Sequence, residues 1–388
     1  MKAKPHICPN CGFITSKVCR YYLRTINHGI FLNRKCIIHY NQRRYLCKIC
    51  NTTFVENFPL AAKHQKKSLA SHLAIMEMAK DPHRTFKNIA QTLCLATPSV
   101  IDHFYRNLPV YKPVLPEVLC IDEVYLGRKF SRKYATHILD FQTDKTVEII
   151  YGSTKGVFMT YFQKIPKIQR DTVKFICSDM YSGFRNLQTV HFPNAKLCID
   201  SFHVIKLIND MFNTLLKSLL KSYDDSSTEY YLLKQKRFVL LKNSNKIEWF
   251  KDVYDRKLGY HTNPLHYREL LFNINPLIKD IYYLKEDYIT FNRLSDISVI
   301  PDKFDHLVQR FTSHHHKDVR KVGRTLLKWR TEILNSFVWF NGRRISNGPI
   351  ESRNNTIKLL ITNAAGYNNF EHLRLRSIYC VNHSKKER

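Results

Sequence analysis

Three short apolar runs in the middle of this chain, Val118–Asp122, Val173–Asp179 and Ala195–Asp200, all end in aspartate. Runs of this length flanked by polar residues read as buried strands of a sheet covered by helices. Tyr134–Phe141 and Thr146–Tyr151 read as two further strands, joined by the polar turn Gln142-Thr143-Asp144-Lys145, so the first three strands are expected to be antiparallel. Val157–Ile165, residues 181–188 and a long stretch from Phe202 carry helical spacing.

The order strand, strand, strand, helix, strand, helix, strand, helix is that of a ribonuclease H-like fold. An unpaired aspartate such as Asp122 is expensive in an apolar strand. Two carboxylates brought close repel by about 4 kcal/mol at an effective dielectric near 20. Such a grouping is a poor choice for stability and a good one for gripping hard cations, which take oxygen ligands. Two divalent ions on converging carboxylates can activate water and stabilise a leaving oxygen in phosphodiester cleavage. Asp122 and Asp179 are the first two candidates; Asp200, which also closes a strand and heads Asp200-Ser201-Phe202-His203, is the rival for second place.

The partner is expected to be a polyanion. The chain has 62 Lys plus Arg against 32 Asp plus Glu, a formal charge of +30, and residues 1–50 contain ten Lys or Arg and no acid. Nucleic acid is the usual counterweight to such an excess. The first residues lack the apolar core of a signal peptide and no long apolar run is present, so a cytoplasmic, nucleoid-associated protein without a membrane partner is expected. Its cysteines should then be reduced, binding metal or filling cores.

Residues 1–55 contain two CxxC pairs, Cys8-Pro9-Asn10-Cys11 and Cys47-Lys48-Ile49-Cys50. Paired knuckles offer four thiolates to one tetrahedral Zn²⁺, and the alternating stretch before Cys47 suits a zinc ribbon, with Arg43 and Arg44 as candidate DNA contacts. Residues 60–110 read as a helix-turn-helix domain. Ser68–Lys80 shows an apolar stripe at 69, 73, 76 and 79; a helix burying Ile89, Ala90 and Leu93 follows; then Thr97 caps a helix with Pro98 at its first position. Ser99, Asp102, His103 and Arg106 are expected to face the DNA groove. Pro109–Pro116 is a stiff linker. Residues 117–210 are the first part of the core, 211–340 an all-helical insertion, and 341–388 the C-terminal helices of the core. In the insertion His314-His315-His316 reads as a solvated loop, and Trp249, Trp329 and Trp339 as core residues.

The third acid is expected at Glu351. Gly348-Pro349 opens a helix in which Glu351, Asn355 and Lys358 share one face while Ile350, Ile357 and Leu360 share another. One side can then hold metal and touch DNA while the other packs on the sheet.

With Cys8, Cys11, Cys47 and Cys50, Ile121-Asp122-Glu123-Val124-Tyr125, Ser178-Asp179-Met180-Tyr181, Phe192-Pro193-Asn194-Ala195, Asp200–His203, Ser346–Lys358 and Gly366–Phe370, the chain resembles the DDE transposases of bacterial insertion sequences, specifically the ISL-three family, over nearly its whole length. The resemblance implies an α/β multidomain protein with an N-terminal zinc ribbon, a helix-turn-helix and a ribonuclease H-like catalytic core interrupted by an insertion. It implies a triad of Asp122, Asp179 and Glu351 on Mg²⁺ or Mn²⁺, supported by Asp200, His203, Asn355 and Lys358. The implied activity is cleavage and transfer of double-stranded DNA at terminal inverted repeats, in a homodimer or larger synaptic assembly joining transposon ends to target. The competing classes are a non-catalytic DNA-binding regulator and a nuclease that does not join. Ser201 stands where the family commonly has Arg, and Ile361-Thr362-Asn363 where it commonly has basic residues, which implies fewer phosphate contacts there.

Overall fold

The computed structural model describes residues 4–31, 34–61, 63, 65–109 and 111–383. The chain begins with a small hairpin, β1 (His6–Ile7) and β2 (Ile14–Thr15), followed by a long antiparallel one, β3 (Val18–Phe31) with β4 (Arg34–Leu46), to which β5 (Thr53–Val55) adds a third strand. Alternation along the ribbon buries Ile26 and Tyr45 and leaves Tyr21 and Leu23 exposed.

Ser68 caps α1 (Leu69–Met78). The inward face of α1 differs from the expected stripe. Leu69 and Leu73 are exposed, and Ser71, Ile75 and the following Ala79 are buried. The polar Ser71 is tolerated inside because its hydroxyl donates to the Asn27 carbonyl of β3 at 2.9 Å. Next come α2 (Phe86–Thr92), held by a reciprocal Thr85–Asn88 cap, and α3 (Thr97–Arg106). Ala96, not Thr97, is the capping residue of α3, which moves Pro98 to the second helical position; its missing N–H is still one that no helix turn would use. Ile75, Ile89, Ala90, Leu93, Val100 and Phe104 form the shared core of α1–α3.

The central sheet is built from β6 (Val118–Tyr125), β7 (Tyr134–Asp140), β8 (Thr146–Tyr151), β9 (Phe175–Ser178) and β10 (Lys196–Ile199), with α4 (Lys155–Gln163), a short α5 (Lys167–Arg170) and α6 (Ser182–His191) in the connections. Its spatial order is β10-β9-β6-β7-β8, mixed, with β10, β9 and β6 parallel and β7 antiparallel to β8. That is consistent with a ribonuclease H-like core. One sheet face, through Leu119, Ile121, Ile176, Leu197 and Ile199, packs on helices in a large apolar cluster; the other carries Cys120, Cys177 and Cys198.

The long α7 (Ser201–Leu220) runs across the sequence boundary expected at 210. After α8 (Thr228–Tyr231), a π-helical turn and α9 (Phe238–Leu241), the expectation of an all-helical insertion fails: β11 (Val253–Asp255) and β12 (Tyr260–Thr262) form a hairpin. The cause is local, since Asp255 accepts the N–H groups of Lys257 and Leu258, and Gly259 takes a φ of 80°. Helices resume with α10 (Pro264–Ile274), α11 (Pro276–Phe291), α12 (Ile300–Thr312), α13 (Lys317–Lys328) and α14 (Arg330–Asn335), and His314-His315-His316 is the α12–α13 loop. A tight hairpin, β13 (Trp339–Phe340) with β14 (Arg343–Arg344), straddles the boundary expected at 340. Trp329 is core and Trp249 half-buried, whereas Trp339 is 57% exposed, because its strand neighbour Phe340 takes the inward side. The chain ends with α15 (Gly348–Asn363) and α16 (Phe370–His383).

Two compact units result. One comprises residues 1–113, 124–135 and 353–388; the other comprises 114–123 and 136–352. Residues 353–388 thus group with α1–α3, whereas the sequence reading placed 341–388 with the core. Buried Arg376 of α16 explains this: it donates to the carbonyls of Ala79, Asp81 and Arg84 and lies over the rings of Phe86 and Phe104. No helix among the described residues is long and apolar enough to cross a membrane.

Candidate active site

The three runs that end in aspartate became β6, β9 and β10, three neighbouring parallel strands. Cys120 pairs with Cys177, and Ile199 with Ser178. Extended by one or two residues, the same registers set Asp122, Asp179 and Asp200 level on strands about 4.8 Å apart, Asp122 within β6 and the other two directly after β9 and β10. Side chains two apart share a face, so all three acids follow the cysteine ladder Cys120, Cys177, Cys198.

The electrostatics record this crowding. Burial pushes the Asp179 carboxyl up and the charge of Asp122 pushes it further, against a downward pull from His203. Burial likewise raises Asp200, with Asp122 adding to it; the backbone N–H of Asn347, His203 and the N–H of Phe202 pull the other way. Asp179 Oδ1, Asp200 Oδ2 and His203 Nε2 are buried with no hydrogen-bond partner among the described residues.

Glu351 arrives from the far end of the sequence. Asn347, fully buried, donates from Nδ2 to the Ile121 carbonyl at 3.3 Å, and Cys120 Sγ meets the Ser346 carbonyl at 3.5 Å. Ile345 and Ile350 pack with Val118 and Cys120. These contacts fix the first turn of α15 against β6. The donor atoms of Glu351, Asp200 and His203 lie within 4.8 Å of one another. Asp200 is therefore closer to the heart of the cluster than the sequence suggested. Further along α15, Ile357 and Leu360 are buried, and Asn355 and Lys358 are exposed. Asn347 is the residue that sequence reasoning passed over, although an asparagine directly before Gly-Pro was there to be weighed.

Unsatisfied carboxylate oxygens beside a free imidazole nitrogen suit a divalent cation. The residues present therefore fit the metal that such a site requires.

At the N-terminus Cys8, Cys11, Cys47 and Cys50 form one cluster, with Cys8–Cys50 and Cys11–Cys47 sulfur separations of 3.6 and 3.5 Å. A tetrahedron with arms of 2.3 Å has edges of about 3.8 Å. Arg44 is bound to the Tyr22 hydroxyl at 2.9 Å and to Thr53, and Arg43 lies 3.9 Å from Glu56. On α3, Asp102 and Arg106 are exposed and paired at 2.7 Å, and Ser99 is half-buried. His103 does not face outward as expected. It is buried with its Nε2 2.8 Å from His72 Nδ1, because it sits beside Phe104 on the side of α3 that packs on α1.

A family model described as a transposase, the ISL3 class of DDE enzymes, matches residues 119–377. The chain belongs to the ISL3 family of DDE transposases. The match spans nearly all of the sheet, Asp122, Asp179, Asp200 and Glu351, and the first half of α16. The transposase for insertion sequence element IS1001 of Bordetella parapertussis is similar as well, 20% identical over 383 residues that cover 96% of this transposase and 88% of that relative. The second likeness extends N-terminal to that match, over the helix pair α2–α3.

Proposed function

We propose that this transposase binds the terminal inverted repeats of an insertion sequence, cleaves a strand at each end and transfers the freed end to target DNA. The observation that supports it most is the meeting of Asp200, His203 and Glu351 within 4.8 Å, at the end of a sheet where Asp122 and Asp179 stand level with Asp200. Magnesium or manganese held by Asp122, Asp179 and Glu351 would lower the pKa of a bound water and offset charge on the phosphate. Asp200 and His203 support that group from the strand next to Asp179.

The protein's own residues place and hold. The sheet register sets the aspartates, Asn347 anchors the glutamate helix, and exposed Asn355 and Lys358 offer an amide and a cation to the phosphate backbone. Zn²⁺ on Cys8, Cys11, Cys47 and Cys50 folds the ribbon, whose Arg43 and Arg44 neutralise phosphates. The helix-turn-helix presents Ser99, Asp102 and Arg106 to the repeat. Two ends must be cut and joined, so the working form is a dimer or larger assembly on double-stranded DNA.

The test uses labelled end DNA with Mg²⁺ and the variants Asp122→Asn, Asp179→Asn and Glu351→Gln. Each variant retains end binding and loses nicking and joining. Normal nicking by Asp122→Asn or Glu351→Gln refutes the assignment, and nicking without joining by the native protein identifies a nuclease instead.

A further inference from the structure

Helix α13 turns a continuous cationic edge outward. Lys317, Lys321, Arg324 and Lys328 are all exposed. At about 100° per residue, their spacing of four, three and four places them within about 60° of one another around the axis, along about 16 Å of helix. No ion pair or hydrogen bond engages any of the four side chains among the described residues. Neighbouring arginines behave differently: Arg310 pairs with Asp287 at 2.5 Å, Arg330 with Asp305 at 2.6 Å, and Arg185 with Glu332 at 2.6 Å. These three neighbouring charges are neutralised within the protein; the four along this edge have no such partner among the described residues.

The edge is also held rigid. Val319, Val322 and Leu326 are buried on the opposite side of α13, in one apolar cluster with Val204, Ile208 and Phe212 of α7. Gly323 brings α13 so near α12 that a Cβ there would sit 2.8 Å from the Thr312 nitrogen. Helix α7 starts directly after Asp200 and carries His203, so the cationic edge and the acid cluster share one compact unit.

We propose that the insertion is a DNA-binding element, and that Lys317, Lys321, Arg324 and Lys328 lie along the sugar-phosphate backbone of the duplex being processed. The cations are about 4.5–6 Å apart along the axis by helical rise, between one and two times the axial advance of about 3.4 Å between successive phosphates of one strand. Contacts of this type carry no base information. The proposal rests on the transposase reading for its choice of duplex DNA over an acidic protein.

The test measures affinity of the full-length protein for a labelled end-bearing duplex and for an unrelated duplex over a series of salt concentrations, without divalent metal. Each lost phosphate contact lowers the slope of log K against log salt by about 0.9, so replacing all four by Gln lowers it by about 3.6. The loss is equal on both duplexes. An unchanged slope overturns the proposal, as does a loss confined to the end sequence or a native protein whose DNA affinity ignores salt. Should the fourfold variant fold poorly, Lys321→Gln and Arg324→Gln alone each lower the slope by about 0.9. Glu351→Gln in the same assay keeps the native slope. If that variant still nicks DNA, the catalytic assignment fails while the α13 result stands by itself.

Discussion

Asn347 Nδ2 donates to the carbonyl oxygen of Ile121 at 3.3 Å, joining the residue before the glutamate helix to the residue before the first aspartate. Asn347 Oδ1 has no partner among the described residues, so replacing the side chain removes both a hydrogen bond and an unsatisfied acceptor. Asn347→Ala therefore costs only about 1–2 kcal/mol of stability. Its effect on strand nicking is larger, because the first turn of α15 loses its tie to β6. Thermal melting and an end-nicking assay, read together, check this; a variant that melts normally and nicks normally removes Asn347 from the positioning role.

His103 predicts acid sensitivity of the α1–α3 unit. Burial, with Lys67 and His72 adding to it, lowers its pKa from 6.5 to about 4. Between those values the unfolded chain holds a proton that the folded chain does not, so stability rises with pH across the window and falls as pH drops from about 6.5 toward 4. The full difference is about 3 kcal/mol. The groups facing the imidazole are His72, Lys67 and Asp102. Melting temperature measured from pH 7 to pH 4.5 should fall more steeply for the native protein than for His103→Gln, and parallel curves count against the claim.

How far the sequence could carry the argument differs between strands and sites. Apolar runs announced β6, β9 and β10 and the aspartates that follow them, since burial on both faces leaves an unmistakable pattern, although β6 continues past Asp122 to Tyr125. The register that sets Asp122, Asp179 and Asp200 level depends on pairing between distant residues, and no local pattern encodes it. The outward reading of His103 failed because helical spacing alone does not say which flank a neighbouring helix covers. The stripe on α1 failed for a similar reason: a carbonyl from Asn27 made a buried Ser71 cheap. Trp339 read as core by size alone, and only pairing with Arg344 shows which strand face it takes.

Removing metal from the four-cysteine cluster should unfold the ribbon selectively. Structural zinc contributes on the order of 10 kcal/mol to so small a unit, and Cys8 and Cys47 are buried, so protonated thiols cannot be hydrated in place. Titration with a thiol-reactive reagent that ejects zinc should release one equivalent per chain, measured with a zinc-binding dye, and abolish end binding together with it. Cys47→Ser should do the same. Retained end binding after complete release separates the ribbon from DNA recognition.

Asp255 anchors the β11–β12 hairpin. It accepts from the hydroxyls of Tyr231 and Tyr267 and pairs with Lys236 at 2.8 Å. Burial pushes its carboxyl up, but Lys236, Tyr267 and Tyr231 outweigh burial and hold it well below the usual range. A depressed carboxyl gives stability that is present above the unfolded value near 4 and is lost as pH falls toward the folded one. Asp255→Asn leaves Lys236 without its charge partner and costs about 3 kcal/mol near neutral pH. Denaturant unfolding at pH 7 and pH 3 tests both halves, since the penalty should shrink at the lower pH.

Gly323 is the contact point between α12 and α13. A methyl group there would lie 2.8 Å from the Thr312 nitrogen and 2.9 Å from the Phe311 carbonyl carbon, and backbone atoms cannot step aside as a flexible side chain would. Helix propensity alone favours alanine by about 1 kcal/mol, so an exposed glycine here would be improved by the change. Overpacking reverses the sign, and Gly323→Ala should destabilise by about 1–3 kcal/mol. If α13 then tilts from α12, the cationic edge loses its alignment and DNA affinity falls although no charge has been removed. A variant more stable than the native protein in denaturant titration would show that the two helices are not held this closely.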